Sequence, residues 1–211
     1  MQTKTIQKPI FLVFISAILL SLAWYFPLGA LALFGAFVPL FYLTDSSTKT
    51  FRTWLYVYFC LFLWNLATTW WVWNASAGGA IGMLFANTLL MSFPWLFYLI
   101  IKKRLGNILA KYAFTTAWLS FEYLHLNWEL SWSWLNLGNG FAYTHTLVQW
   151  YEYTGVLGGT LWVLLINVFS YEIIFSQNKK ILPVALPTLF LPIILSLIIY
   201  FSYKEKGENV E

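Results

Sequence analysis

The sequence predicts an all-α protein, a polytopic transmembrane helix bundle of about seven spans with a Trp-rich extracytoplasmic loop between spans five and six. Three observations carry this reading. Of 211 residues, 60% are hydrophobic and only 9% charged, whereas a soluble domain of this size leaves roughly a third of its unfolded surface exposed after folding and could not hide so much apolar area. The apolar residues fall into separate runs, and a run of about 20 is what a helix needs to cross a hydrocarbon core about 30 Å thick. The basic residues then sort by side. With residue 1 inside, Lys4, Lys8, Lys49, Arg52, Lys102, Lys103, Arg104, Lys111, Lys179 and Lys180 are cytoplasmic, and Lys204 and Lys206 lie opposite, a strong positive-inside bias. These short clusters fit membrane topology rather than phosphate binding, despite a pI near 9.1.

In chain order, a polar start with Lys4 and Lys8 precedes the first span, residues 10–26. The apolar character continues past Ala30, so this run reads as a retained helix rather than a cleaved signal. Pro27 and Gly29 turn the chain into a second span, 28–43, and a wet loop with Asp45, Lys49 and Arg52 follows. The third span, 54–73, ends in Trp70, Trp71 and Trp73, an aromatic belt at one interface. Residues 74–79 lead to the fourth, 80–101, where Pro94 removes a backbone hydrogen bond and is expected to kink the helix. The basic turn around 102–111 opens the fifth span, 108–124; the sixth is 153–175. After Lys179 and Lys180 comes the seventh, 181–201, bent by Pro183, Pro187 and Pro192. Residues 1–203 thus form the transmembrane domain, and 204–211 read as the start of a linker.

The stretch 122–159 departs from this pattern. It holds Glu122, Glu129, Glu152, both histidines (His125, His145), and Trp128, Trp132, Trp134 and Trp150, with no Lys or Arg. Such a segment reads as an interfacial platform on the non-cytoplasmic side. Glu122 ends the fifth span, where a carboxyl is costly without a partner; it is either hydrogen-bonded to loop amides and indoles or functional. The Trp residues either anchor the interface or, as apolar rings with a polar edge, line a groove for an acyl chain or headgroup. Gly155, Gly158 and Gly159 permit close helix approach. Glu129 and Glu152 are expected to be solvated, and Glu172 to snorkel or pair with Lys179 or Lys180. Cys60, the one cysteine, falls near mid-bilayer, where a thiolate is disfavoured, so it reads as a small apolar side chain. No metal-spaced Cys/His cluster, Gly-rich phosphate loop or serine nucleophile motif is present in the sequence, so neither a metal nor a cofactor is expected.

Trp118 and Glu122, the run SWSWLNLGNGFA at 131–142, QWYEYTGVLGGTLWVLLIN at 149–167 and the opening LAWYFPLGALALFGAFVPLF together resemble the membrane domain of apolipoprotein N-acyltransferases. The resemblance covers essentially the whole chain. Ser133 stands where the family usually has Pro, His125 and Leu126 replace its Arg-Gly, and Asn139 replaces an aromatic. The resemblance implies a bacterial inner-membrane protein, N-terminus cytoplasmic and C-terminus periplasmic. It implies phospholipid and a diacylated apolipoprotein as partners, an acyl chain passing from one to the N-terminal diacylglyceryl-cysteine of the other. Family members continue into a nitrilase-like domain whose Glu-Lys-Cys triad does the covalent chemistry; the sequence here stops at Glu211, so the chain is expected to be a membrane-domain fragment, inactive alone, with a separately encoded nitrilase-like domain as a further expected partner. Glu122, Trp134 and Gly138 are then expected to form an outward lipid groove with Trp128, Trp132 and Trp150 as its wall, and no catalytic residue is assigned. Two other readings stay open: a haem-handling or small-solute transporter using His125 and His145 as ligands, and a non-catalytic membrane assembly protein.

Overall fold

A computed structural model describes residues 9–203, all of them helical or in turns and loops. Lys4, Lys8, Lys204, Lys206 and the expected linker at 204–211 lie outside the described residues. Six α-helices follow one another: α1 Pro9–Leu22, α2 Val38–Ser46, α3 Thr50–Thr69, α4 Ala77–Asn127, α5 Tyr151–Ile174 and α6 Leu182–Ser202. Five helical stretches are long and apolar enough to cross a membrane, and α1 is a shorter apolar helix. The chain is a multi-pass membrane protein.

The fourth and fifth expected spans are the two halves of α4. Its 51 residues would extend about 76 Å if straight, far beyond a bilayer, and the backbone breaks at Gly106, with φ +76° and ψ 170°. The halves fold back on each other. His125 meets Asn87 at 2.9 Å and the rings of Trp95 and Phe114 lie 4.4 Å apart, pairs roughly equidistant from Gly106. Pro94 does not interrupt the helix; within α4 only Gly106 leaves helical angles, because a positive φ is open to glycine at little cost.

The second span is broken too. It enters as a 3-10 helix, Pro27–Gly35, and continues as α2. The break frees backbone groups in an apolar setting, where each needs a partner. Asn167 of α5 provides them: its Oδ1 accepts from Phe37 N at 2.8 Å and its Nδ2 donates to Leu33 O at 2.7 Å. Ser16 of α1 donates to Ala36 O. Just before this, the turn returns so close to α1 that a Cβ on Gly29 would lie 2.0 Å from Leu22 O.

An aromatic core joins these pieces. Phe37 and Phe41 of the second span pack with Trp95, Tyr98, Phe114 and Trp118 from both halves of α4, centroids 4.4–6.1 Å apart. Edge-to-face pairs of this kind add about 0.5–1.5 kcal/mol each beyond area burial. Cys60 is fully buried in α3.

Basic residues mark one end of the bundle. Lys102 donates to Thr44 O and to Ser47 O, and Lys111, wholly buried, sits 2.7 Å from Asp45 and 3.2 Å from Glu172. The expected pairing of Glu172 with Lys179 or Lys180 is therefore corrected: its partner is Lys111 of α4, because the α4 hairpin places that ammonium inside the bundle between α2 and α5. Lys111 is likewise not a solvated topogenic charge.

Candidate functional site

The opposite, Trp-rich end is built by residues 128–150, between α4 and α5. This segment is not a platform laid over the surface. After residues 128–132 it forms two 3-10 turns, Ser133–Leu135 and Leu137–Leu147, and it enters the bundle: Leu135, Asn136, Leu137, Gly138, Gly140 and Phe141 are buried. Phe141 stacks on Trp162 of α5 at 5.3 Å. A Cβ on Gly138 would fall 2.1 Å from Val156 O, and one on Gly140 would fall 2.5 Å from Leu33 Cδ1, so glycine permits the backbone to approach at both positions.

Non-helical backbone inside the bundle needs partners, and neighbouring helices supply them. Glu122, 1% exposed, is the centre. Its Oε1 accepts from Trp118 Nε1 at 2.8 Å and from Leu137 N at 2.9 Å. Its Oε2 accepts from Thr160 Oγ1 at 2.5 Å, while that hydroxyl oxygen accepts from Gly138 N at 3.0 Å. Both carboxyl oxygens are thus engaged, one by an indole and a backbone N–H and the other by a hydroxyl. Tyr151 donates to Gly138 O at 2.9 Å, Trp24 donates to Trp134 O at 3.2 Å, and Ser196 of α6 accepts from Gln149 N and donates to Thr146 O.

A second chain of bonds flanks the first. Trp128 Nε1 donates to His125 Nδ1 at 2.8 Å, so His125 Nε2 carries the proton and donates to Asn87 Oδ1; Asn87 Nδ2 donates to Asn65 Oδ1 at 2.7 Å. Both ring nitrogens of His125 are thus engaged. His145 is exposed and lies against Tyr200 instead. Among the described residues no group of three or more His, Cys, Asp or Glu side chains is placed to hold a metal.

Two open spaces border this end. A groove of about 1140 Å³ runs between α5 and α6, walled by apolar side chains from Leu161 and Leu165 to Pro187 and Leu195, with Trp150, Tyr153 and Thr154 at the Trp-rich end. Trp162 donates to Thr188 O at 2.8 Å, the carbonyl left without its helical donor by Pro192 four residues on. A narrow crevice lies under the 128–136 segment, lined by Asn87, Phe121, Glu122, His125, Trp132 and Asn136 among others.

The six expected site residues are therefore distributed. Glu122 and Trp132 line the crevice, and Trp150 alone lines the α5/α6 groove. Gly138 is buried and lines neither. Trp134 is exposed, edge-on to Trp71 at 5.3 Å, and Trp128 is half-buried on His125. Glu129 and Glu152 are exposed. Sequence reasoning missed Thr160, Asn167, Ser196, Asn87 and Asn136. Their signal was present as isolated polar residues within or beside apolar runs, which in a membrane setting mark hydrogen-bonding duty.

Residues 16–169 match the model of the apolipoprotein N-acyltransferase N-terminal domain family. An apolipoprotein N-acyltransferase from Chlorobaculum tepidum is 26% identical over 205 residues, 94% of this chain and 38% of that protein. The chain thus spans well under half the length of the curated relative it matches. No solved structure matches it.

Proposed function

The chain belongs to the apolipoprotein N-acyltransferase N-terminal domain family, and from that premise we propose that it is the membrane-embedded, lipid-holding part of such an acyltransferase in a bacterial inner membrane. The α5/α6 groove carries this reading. From Pro183 to Ile198 it follows α6 for about 22 Å, longer than one leaflet of a core about 30 Å thick. Its wall is apolar, Trp162 and Thr188 bond to backbone carbonyls of α6, and Trp150, Tyr153 and Thr154 stand at the Trp-rich end, so an acyl chain lies along α6 with its polar end beside these three. The Glu122 network supports the same end by pinning the segment that carries Trp150. Phospholipid and the diacylated apolipoprotein are the partners, and the Trp-rich end faces the periplasm. Thioester chemistry belongs to residues outside this chain: Cys60 is enclosed in α3, out of reach of a substrate.

The test is crosslinking in bilayers that contain a phosphatidylethanolamine bearing a photoactivatable acyl chain. Adducts are expected to concentrate on α5 and α6, and Leu191→Trp, which fills the groove, is expected to reduce them several-fold. Adducts spread evenly over all lipid-facing helices, unchanged by Leu191→Trp, would reject the groove. The 211-residue chain alone is expected to leave a diacylated lipopeptide unacylated; turnover by the purified chain would contradict its role as a non-catalytic portion. Haem binding gains no support, since His125 has no free nitrogen to offer iron.

A further inference from the structure

Two short basic clusters, far apart in sequence, meet at the basic end. Lys102 donates to Thr44 O and Ser47 O, which ties the bend of α4 to the turn between α2 and α3. Lys103 and Arg104 follow it directly, while Lys49 and Arg52 lead from that turn into the first residues of α3; all four are exposed. None has a carboxylate partner. Among the described residues the ion pairs are those of Lys111 with Asp45 and Glu172, and Arg52 reaches the Tyr56 hydroxyl instead, at 3.2 Å. Asp45 is taken by Tyr98 and Lys111, Glu172 is buried, and the other described carboxyl groups, Glu122, Glu129 and Glu152, belong to the Trp-rich end. Four like charges on adjoining elements repel one another, and an anion set among them is attracted by all four. The apolar neighbours show where that anion lies. Phe51 is largely exposed between the first two cations, and Leu105, Ile108 and Leu109 are largely exposed around the glycine bend. Such a surface faces lipid, its long basic side chains reaching to the depth of the headgroups.

We infer that the bend of α4 and the start of α3 form a binding site for an anionic phospholipid, its phosphate held among Lys49, Arg52, Lys103 and Arg104 and its acyl chains against Phe51, Leu105 and Leu109. Charge and depth select the class. A zwitterionic headgroup brings an ammonium along with its phosphate and gains little from a cluster that has no free acid. Phosphatidylglycerol or cardiolipin brings net negative charge. A soluble phosphate has the charge but leaves the apolar rim uncovered. As separate stretches of sequence these cations read as topology, which fixes the side of the membrane on which they lie; the Lys102 link gathers them into one site. The site stands at the end of the bundle away from the Trp-rich residues, so its lipid is an anchoring partner and not an acyl donor, and it does not depend on the acyltransferase reading.

The experiment is native mass spectrometry of the full chain released from detergent, titrated with phosphatidylglycerol and, separately, with phosphatidylethanolamine of the same acyl chains. The unmutated chain is expected to retain phosphatidylglycerol more tightly; equal retention of the two lipids would overturn the site. Lys103→Gln combined with Arg104→Gln is expected to weaken phosphatidylglycerol retention by about tenfold or more, at roughly a factor of five per cation, and to leave phosphatidylethanolamine unchanged. Lys103→Arg with Arg104→Lys keeps the charge and is expected to keep the retention, and an equal loss in both pairs would overturn charge as its cause. Lys179→Gln with Lys180→Gln removes as many cations from the turn between α5 and α6 and is expected to change little; an equal loss there would reduce the effect to net charge and overturn a local site. Inorganic phosphate in large excess is expected to leave the lipid in place, whereas displacement would overturn the lipid as occupant and give the cluster to a soluble anion. The groove reading is judged separately, because Leu191→Trp is expected to lower retention of both lipids alike and to leave the preference for phosphatidylglycerol intact.

Discussion

Glu122 shows what one ionisable residue does in this bundle. It joins the second half of α4 to the start of α5 through Thr160 and to the re-entrant segment through Leu137 N, so it substitutes for the helix partners that this segment lacks. Glu122→Gln keeps one oxygen for Trp118 and Leu137 but turns an NH₂ donor on the Thr160 hydroxyl, which already accepts from Gly138 N and must reverse to take it. A loss of about 1–3 kcal/mol is expected, read as a lower unfolding temperature in detergent together with slower lipid processing by the acyltransferase proposed above. Unchanged stability and turnover would show that the carboxylate is dispensable. Gly138 is tested beside it. Gly138→Ala places a methyl 2.1 Å from Val156 O and is expected to cost at least about 1–3 kcal/mol, whereas Gly35→Ala, with nothing within 4 Å of the new atom, is expected to be tolerated. Equal thermal shifts for the two would remove close approach as the reason for Gly138.

At the scale of elements, α5 is the spine that completes its neighbours. Asn167 closes the break in the second span, Thr160 and Glu122 close the start of the re-entrant turn, and Trp162 caps the carbonyl that Pro192 frees in α6. Asn167→Leu keeps the apolar character of the span yet leaves Phe37 N and Leu33 O without this partner. It is expected to lose about 1–3 kcal/mol for each group left unpaired, seen as faster hydrogen exchange at Phe37. Retained protection there would mean the break is held by Ser16 and packing alone. The α6 helix is the least enclosed, with 11% of its membrane window buried against 61% for α5, and its proline-bent wall leaves the groove open to lipid.

On the scale of the whole molecule, charge decides two things, how the bundle is locked and which way it faces. Lys111, Asp45 and Glu172 tie α2, α4 and α5 together inside the basic end. Asp45 is well satisfied, by Tyr98 and Lys111, while Glu172 is close to Lys111 but not aligned for a hydrogen bond. Removing the cation leaves two buried carboxylates, a change that typically costs about 3–5 kcal/mol. Lys111→Met is therefore expected to abolish folded yield, and combining it with Asp45→Asn and Glu172→Gln is expected to restore most of it. Failure of the triple variant to recover would place the role of Lys111 in packing rather than charge. For orientation, Lys103→Cys and Ala142→Cys lie on exposed positions at opposite ends, with Cys60 buried as background. A membrane-impermeant maleimide added outside spheroplasts is expected to label Ala142→Cys and spare Lys103→Cys; the reverse pattern would invert the topology.

What the sequence determined by itself was the set of crossings: the apolar runs, the basic turns between them, the fold back near residue 106 and the aromatic belt all follow from local composition, since partition into lipid depends on each segment's own side chains. The resemblance to the acyltransferase membrane domain was legible for the same reason, in contiguous motifs. What only the tertiary structure decided was the duty of each lone polar residue and the course of 128–150. Asn167 serves Phe37 and Leu33, some 130 positions away; Lys111 meets Asp45 across 66; Trp24 meets Trp134 across 110. Hydropathy places a polar residue at a depth but not beside a partner. The re-entrant segment looked like a surface loop because its polar residues and glycines are those of any loop, and it is buried only because α4, α5 and α6 hold the acceptors and donors its backbone requires.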